Sequence, residues 1–267
     1  MTTQQESHRP GTQVLETFID AISWNEATER LLGWASSNQP RGVCLCNVHS
    51  AVTALDDQQL AAALRKADMV LADGAPIAWV MRRKGYNNQT RIAGPDLMWR
   101  LCESAERHGV GAFLFGSTPE TLDRLQSNIK KRFPDLDVRG SLSPRFGAWT
   151  EEEEQTYIDT INATAAGLVF VGLGCPRQEI WMARQQEQKR VSGVLIGVGA
   201  AFDFHAGTVK RAPLIYQQLG LEWLYRLLAE PRRLWRRYLI TNTRFLLNLP
   251  GTLSRSRTVR NATTDRD

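Results

Sequence analysis

The sequence predicts an α/β fold: a mostly parallel sheet with helices on both faces, followed by a C-terminal helical basic appendage. Three observations predict it. Short, continuously apolar runs alternate with amphipathic stretches of helical period, as in a sheet buried on both faces. Two of those runs, residues 168–173 and 194–198, lead into glycine-rich turns, and the first turn opens a helix-like stretch. Basic charge is confined to one end: residues 205–267 hold 12 Lys and Arg against 4 Asp and Glu, whereas residues 1–204 hold 21 against 24.

In chain order, residues 1–13 are polar, carry no signal-like apolar run and read as a disordered N-terminus. Residues 14–206 form the α/β domain. Its strands are expected at 43–48, 69–72, 112–115, 168–173 and 194–198, with weaker ones at 14–18 and 137–139. Its helices are expected at 25–36, 58–66, 75–83, 95–108, 119–132, 151–165 and 178–190. Thr150 with Glu153 spells a capping box, and Thr118-Pro119 an N-cap followed by proline in the first turn. Residues 207–250 form the appendage, read as a helix over 213–229, a break at Pro231 and a second helix over 232–249. Residues 251–267 read as a disordered basic tail.

Bulk properties narrow the function. A chain of 267 residues, 42% hydrophobic, holds a substantial core, and no run approaches the ~18–20 apolar residues of a membrane span. Four cysteines without a CxxC pair read as reduced, buried thiols of the cytosol. The local excess of +8 at the C-terminal end calls for an anionic partner there.

Polar residues gather where strands should end, the place for a ligand in such folds. Asp73 follows the run 69–72 directly and suits a general base, or else a helix N-cap. Asn47 and His49 end another strand, and His49 is a second base candidate or a structural hydrogen-bonder. Arg91 and Asp96, in RIAGPD, precede a helix; Arg91 could fork onto a diphosphate or form a surface ion pair. The turn with Gly172, Gly174, Arg177, Gln178 and Glu179 could cradle a nucleotide diphosphate, although it is not GxGxxG. Asp203 could hold a ribose or sugar hydroxyl, or be a buried hydrogen-bonded acid. Asp135 and Asp137 spell a DxD triplet of little weight, no cluster has metal-ligand spacing, and no cofactor is called for.

Taken together, NVHS at 47–50, ADMVLADG at 67–74, RIAGPD at 91–96, FLFG at 113–116, VGLGCPRQE at 171–179, and the stretches 197–213 and 219–238 resemble the WecG/TagA/CpsF family of bacterial glycosyltransferases. The resemblance covers residues 14–248. It implies a Rossmann-like domain whose appendage docks on the cytoplasmic face of the cell membrane and completes the active site. It implies inverting, metal-independent transfer from a UDP-sugar (N-acetylmannosamine, its uronic acid or glucose) to a polyprenyl-diphosphate-linked saccharide. The product would be exopolysaccharide or another surface polymer. The base maps onto Asp73, and diphosphate-binding arginines onto Arg226, Arg233 and Arg236. Many members carry Asn-Pro-Glu where this chain has Asn47-Val48-His49, which leaves acceptor identity open. Oligomeric state, and whether those arginines serve their own or a neighbouring subunit, are open too. The alternatives are a nucleotide-dependent oxidoreductase, which lacks its glycine fingerprint, and a nucleic-acid module using the basic tail, which nothing in residues 1–204 suggests.

Overall fold

The structure, a computed structural model, describes residues 9–254. A hairpin, β1 (Gly11–Val14) and β2 (Thr17–Asp20), opens it where one weak strand was expected; Leu15, at φ 56°, sits in the two-residue turn between them. α1 (Trp24–Ser36), β3 (Arg41–Cys46), α2 (Val48–Thr53), α3 (Gln58–Lys66), β4 (Met69–Ala72) and α4 (Ala75–Arg83) follow. Then come α5 (Gly94–His108), β5 (Ala112–Gly116), α6 (Pro119–Arg132), β6 (Val138–Leu142), α7 (Glu151–Ala163) and β7 (Leu168–Gly172). α8 (Arg177–Glu187), β8 (Val194–Gly197) and α9 (Ala201–Ala206) complete the α/β part. The short helices α2 and α9 have no counterpart in the sequence reading, because six residues are too few to show a helical period.

β3 to β8 form one parallel sheet in the order β4-β3-β8-β7-β5-β6. Alternate residues of β3, β4, β5, β7 and β8 feed two cores, while the edge strand β6 is only partly buried. Val43, Leu45, Leu114, Phe170 and Ile196 face α1, α5, α6 and α9, while Cys44, Cys46, Phe115, Val171 and Leu195 face α2, α3, α4, α7 and α8. Burial on both faces explains why the strands read as unbroken apolar runs. The hairpin shields the free edge of β4, where the Asp20 carboxylate accepts the Val70 N–H at 2.6 Å and pairs with Arg9.

The order places the C-terminal ends of β4, β3, β8 and β7 side by side, with Cys46 level with Ala72, Cys44 with Gly197, and Val171 with Gly197. Longer helices α4, α5 and α8 point their N-termini at the same edge, so their unpaired N–H groups make it electropositive. On the next pair, Gly116 lies opposite Gly172. Gly116 has φ 129°, and a Cβ there would stand 2.5 Å from the Gly172 carbonyl oxygen. Gly116→Ala therefore combines backbone strain with a backbone clash; a loss of about 3 kcal/mol, on the order of 10 °C in Tm by calorimetry, is expected.

The appendage departs from its predicted outline. Gly220, at φ 72°, splits the expected first helix into α10 (Leu214–Gln218) and α11 (Glu222–Ala229). Pro231 starts α12 (Pro231–Ser254) rather than merely ending its predecessor, since proline costs nothing in a first turn. α12 runs through Pro250 to Ser254, beyond the expected start of the tail. Residues 1–8 and 255–267 lie outside the described residues. The appendage is not detached: Leu234 and Phe245 are buried, Phe245 in the core on the α2 side. Among the described residues, no helix is long and apolar enough to cross a membrane.

Candidate active site

β3 and β4 deliver two polar residues to the same edge. The chain turns from β3 into α2 at Asn47, whose Oδ1 accepts the Ser50 N–H at 3.2 Å as an N-cap. That bond fixes the amide, and its free Nδ2 donates to Asp73 Oδ2 at 3.3 Å. Asp73 also donates its N–H to the Cys46 carbonyl at 2.9 Å, so β3 and β4 stay in register to their last residue. The N-cap of α4 is Gly74, with no side-chain capping bond, so Asp73 is not spent on the helix. Burial pushes its carboxyl up to about 6; the Asn47 bond and the Arg91 and Arg211 guanidinium groups oppose the rise, and Glu222 adds to it.

A charge cluster flanks Asp73. Arg91 donates to Glu222 Oε2 at 3.0 Å and lies 4.0 Å from Asp96. Arg211 forks onto both oxygens of Asp96 at 2.6 and 2.7 Å, with its Nε 3.6 Å from Glu222 Oε1. Burial works against ionised Asp96, yet the Arg211 fork holds its carboxyl below the usual range. Sequence reasoning singled out Arg91 and Asp96 but missed Arg211 and Glu222. One signal was present: Glu222 is the lone acid between Asp203 and Glu230, in a stretch otherwise basic.

The glycine turn after β7 is braced from below. Gln178 is buried; its Oε1 accepts the Gly174 N–H at 3.2 Å and its Nε2 donates to Glu179 Oε1 at 2.9 Å. Glu179 is itself buried, burial raises its carboxyl pKa, and its Oε2 has no partner. Gln178 and Glu179 thus hold the shape of the turn rather than its mouth. Gly174 leaves its backbone open there, with nothing within 4 Å of where a Cβ would stand, whereas the Phe202 ring packs directly on Gly172. Arg177 stacks on Trp149, another residue the sequence did not flag, with its guanidinium 4.1 Å from the ring centroid.

The remaining candidates divide between the mouth and the appendage. Asp203 sits on α9, just past the β8 turn, and its carbonyl accepts the N–H groups of Thr208 and Val209. Next to it Phe204 lies under the Arg226 guanidinium, 5.2 Å away, so α11 reaches across to α9. Arg226 Nε is buried without a partner. His49 lies on α2, its Nδ1 3.4 Å from Thr53 Oγ1; burial and then Arg237 push its pKa down to about 4. A neutral His49 this acidic makes a feeble base. Arg236 is exposed, Arg237 is the arginine that faces α2, and the Arg233 side chain lies outside the described residues. The DxD pair falls at the opposite edge of the sheet, where Asp137 pairs with Arg139 at 2.7 Å. Among the described residues no group of three His, Cys, Asp or Glu could hold a metal ion.

The arrangement can take a proton at Asp73 and meet negative charge with guanidinium and backbone N–H groups a short way off. This is the equipment of a group transfer with an anionic leaving group. Neither hydride transfer to a dinucleotide nor nucleic-acid binding is needed to account for it. A family model described as Glycosyl transferase WecG/TagA/CpsF family matches residues 12–259, nearly the whole chain and every element of the site. The chain therefore belongs to the WecG/TagA/CpsF family: it is a glycosyltransferase of polymer biosynthesis, working with a sugar donor and, as the family does in general, a lipid-linked acceptor.

Proposed function

We propose that the protein moves a sugar from a UDP-sugar to a saccharide on polyprenyl diphosphate, with inversion at the anomeric carbon, at the inner face of the cell membrane. The observation that carries this reading is Asp73: a carboxylate at a strand end, oriented by Asn47, made more basic by burial and flanked by two arginines. The acceptor hydroxyl approaches the anomeric carbon on the face opposite UDP, and its proton passes to Asp73. The new C–O bond forms as the bond to the UDP oxygen breaks. The departing diphosphate takes up the electron pair, and Arg91 with the appendage arginines Arg211 and Arg226 are the groups that stabilise it. N–H groups of the glycine turn after β7 are the further donors.

The appendage supports the membrane part of the reading. Its packed side faces the α/β core, while Leu214 and Ile215 of α10, Leu219 just after it, and Trp235, Leu239 and Leu246 of α12 are exposed, with Arg232 and Arg236 among them. Apolar side chains interleaved with arginine suit an anionic lipid surface. The decisive experiment offers a panel of UDP-sugars, including N-acetylmannosamine, its uronic acid and glucose, with a short-chain lipid-diphosphate saccharide. Mass spectrometry should show one sugar added to the acceptor and UDP released. Release of UDP without a heavier acceptor, for every donor, would sink the proposal.

A further inference from the structure

The appendage reaches the neighbourhood of Asp73 with two charged residues, Arg211 and Glu222, and the chain before Glu222 is built for close approach. Gly220 has φ 72°, and a Cβ there would stand 2.7 Å from the Ala75 Cβ, so the turn between α10 and α11 rests on the first residue of α4. Ala75 follows Asp73 and Gly74 in the chain. Two residues after Gly220, Glu222 enters the arginine pair, bonded to Arg91 at 3.0 Å and facing Arg211 Nε at 3.6 Å. Arg211 is gripped on its other side by Asp96. The four side chains alternate in sign, and Arg91, Arg211 and Glu222 are each about one-fifth exposed. Shielded in this way, such pairs interact more strongly than surface pairs, and removing one member leaves its neighbours unbalanced.

We propose that Glu222 is the positioning residue through which the appendage completes the active site, holding Arg91 and Arg211 side by side next to Asp73. The inference rests on the transferase reading of that site and deepens it: seating of α11 and readiness of the base become one event. Two guanidinium groups held together without Glu222 repel each other and turn toward the nearest remaining carboxylates, Asp96 and Asp73. Arg211 Nε is buried and makes no hydrogen bond, so its charge is balanced through the Glu222 contact at 3.6 Å and the Asp96 fork.

The consequence for Asp73 has a definite sign. The groups facing it are the Asn47 amide, the Arg91 and Arg211 guanidinium groups, Glu222 and, from β3, the Cys46 thiol, which burial keeps neutral. Glu222 alone among the charged ones opposes its ionisation. Glu222→Gln removes that opposition and frees Arg91, so Asp73 should become more acidic and a poorer base.

The test titrates the Asp73 carboxyl carbon by NMR in the full chain without substrates, with Asp73→Asn identifying the signal. Wild type should titrate near pH 6, and Glu222→Gln at least about half a pH unit lower. Gly220→Ala, which keeps every charge but forces the turn off Ala75, should shift it in the same direction. The acid limb of kcat/KM should move with the titration, which loss of mere scaffolding would not produce. An unchanged Asp73 titration in whichever of the two variants is folded overturns the inference. The outcomes separate cleanly from the transferase reading: wild type that transfers no sugar defeats that reading, while the titration still decides the role of Glu222.

Discussion

Asp73→Asn is expected to lower sugar transfer by about 10²–10⁴-fold while changing UDP affinity less than about threefold. Asparagine keeps the size of the side chain and its place opposite Asn47, so the loss isolates proton removal from geometry. The wild-type rate should carry the same group in its pH dependence. With the carboxyl near 6, kcat/KM should be level above about pH 7 and fall tenfold per unit below about pH 5.5; the variant should lack that limb. Stability supplies a control of opposite sign. A carboxyl raised in the folded state opposes folding once ionised: the penalty begins above the ordinary aspartate value of 3.8 and is complete above about 6. At pH 7 the variant should therefore melt no lower than wild type. A variant that retains more than a tenth of wild-type turnover removes Asp73 from the chemistry.

Asp73 and the charge cluster beside it were unequally visible in the sequence. The limits of β4 and the place of Asp73 follow from four apolar residues ended by Asp-Gly, and α3, α4 and α6 fall where their patterns put them. Such features are local: a strand buried on both faces needs apolar side chains at every position, and a capped helix declares its first residue. What escaped is relational. Nothing near Glu222 in the chain says that it meets Arg91, 131 positions away, since an ion pair across the fold leaves no periodicity. Gly220 likewise looks like a tolerable interruption of one helix until the contact with Ala75 shows why the chain bends there. Arg237 rather than Arg236 turns toward α2 because burial of Leu234, Thr241 and Phe245 fixes the rotation of α12. A one-residue step turns a helix by about 100°, enough to move an arginine from the packed side to the surface.

That same rotation makes the second large effect. Trp235, Leu239 and Leu246 follow at four and then seven positions and share one stripe of α12, 53%, 60% and 64% exposed. Replacing Leu239 and Leu246 together with Glu should lower binding to anionic vesicles by at least about 10²-fold. Each leucine embedded in an acyl boundary contributes roughly 1.5–3 kcal/mol, and each new negative charge near anionic headgroups adds about 1 kcal/mol of repulsion. Folding should be spared, because exposed substitutions of this kind stay within about ±0.5 kcal/mol. Transfer to a short-chain, water-soluble acceptor should stay within about threefold of wild type, as neither leucine borders the Asp73 cluster. Transfer to a long-chain acceptor in vesicles should fall in step with binding. Co-sedimentation with vesicles and sedimentation velocity of the free protein distinguish the two uses of such a stripe. If the double variant still binds vesicles but a wild-type dimer falls apart, the stripe joins two copies of the chain, and lipid docking must be sought elsewhere.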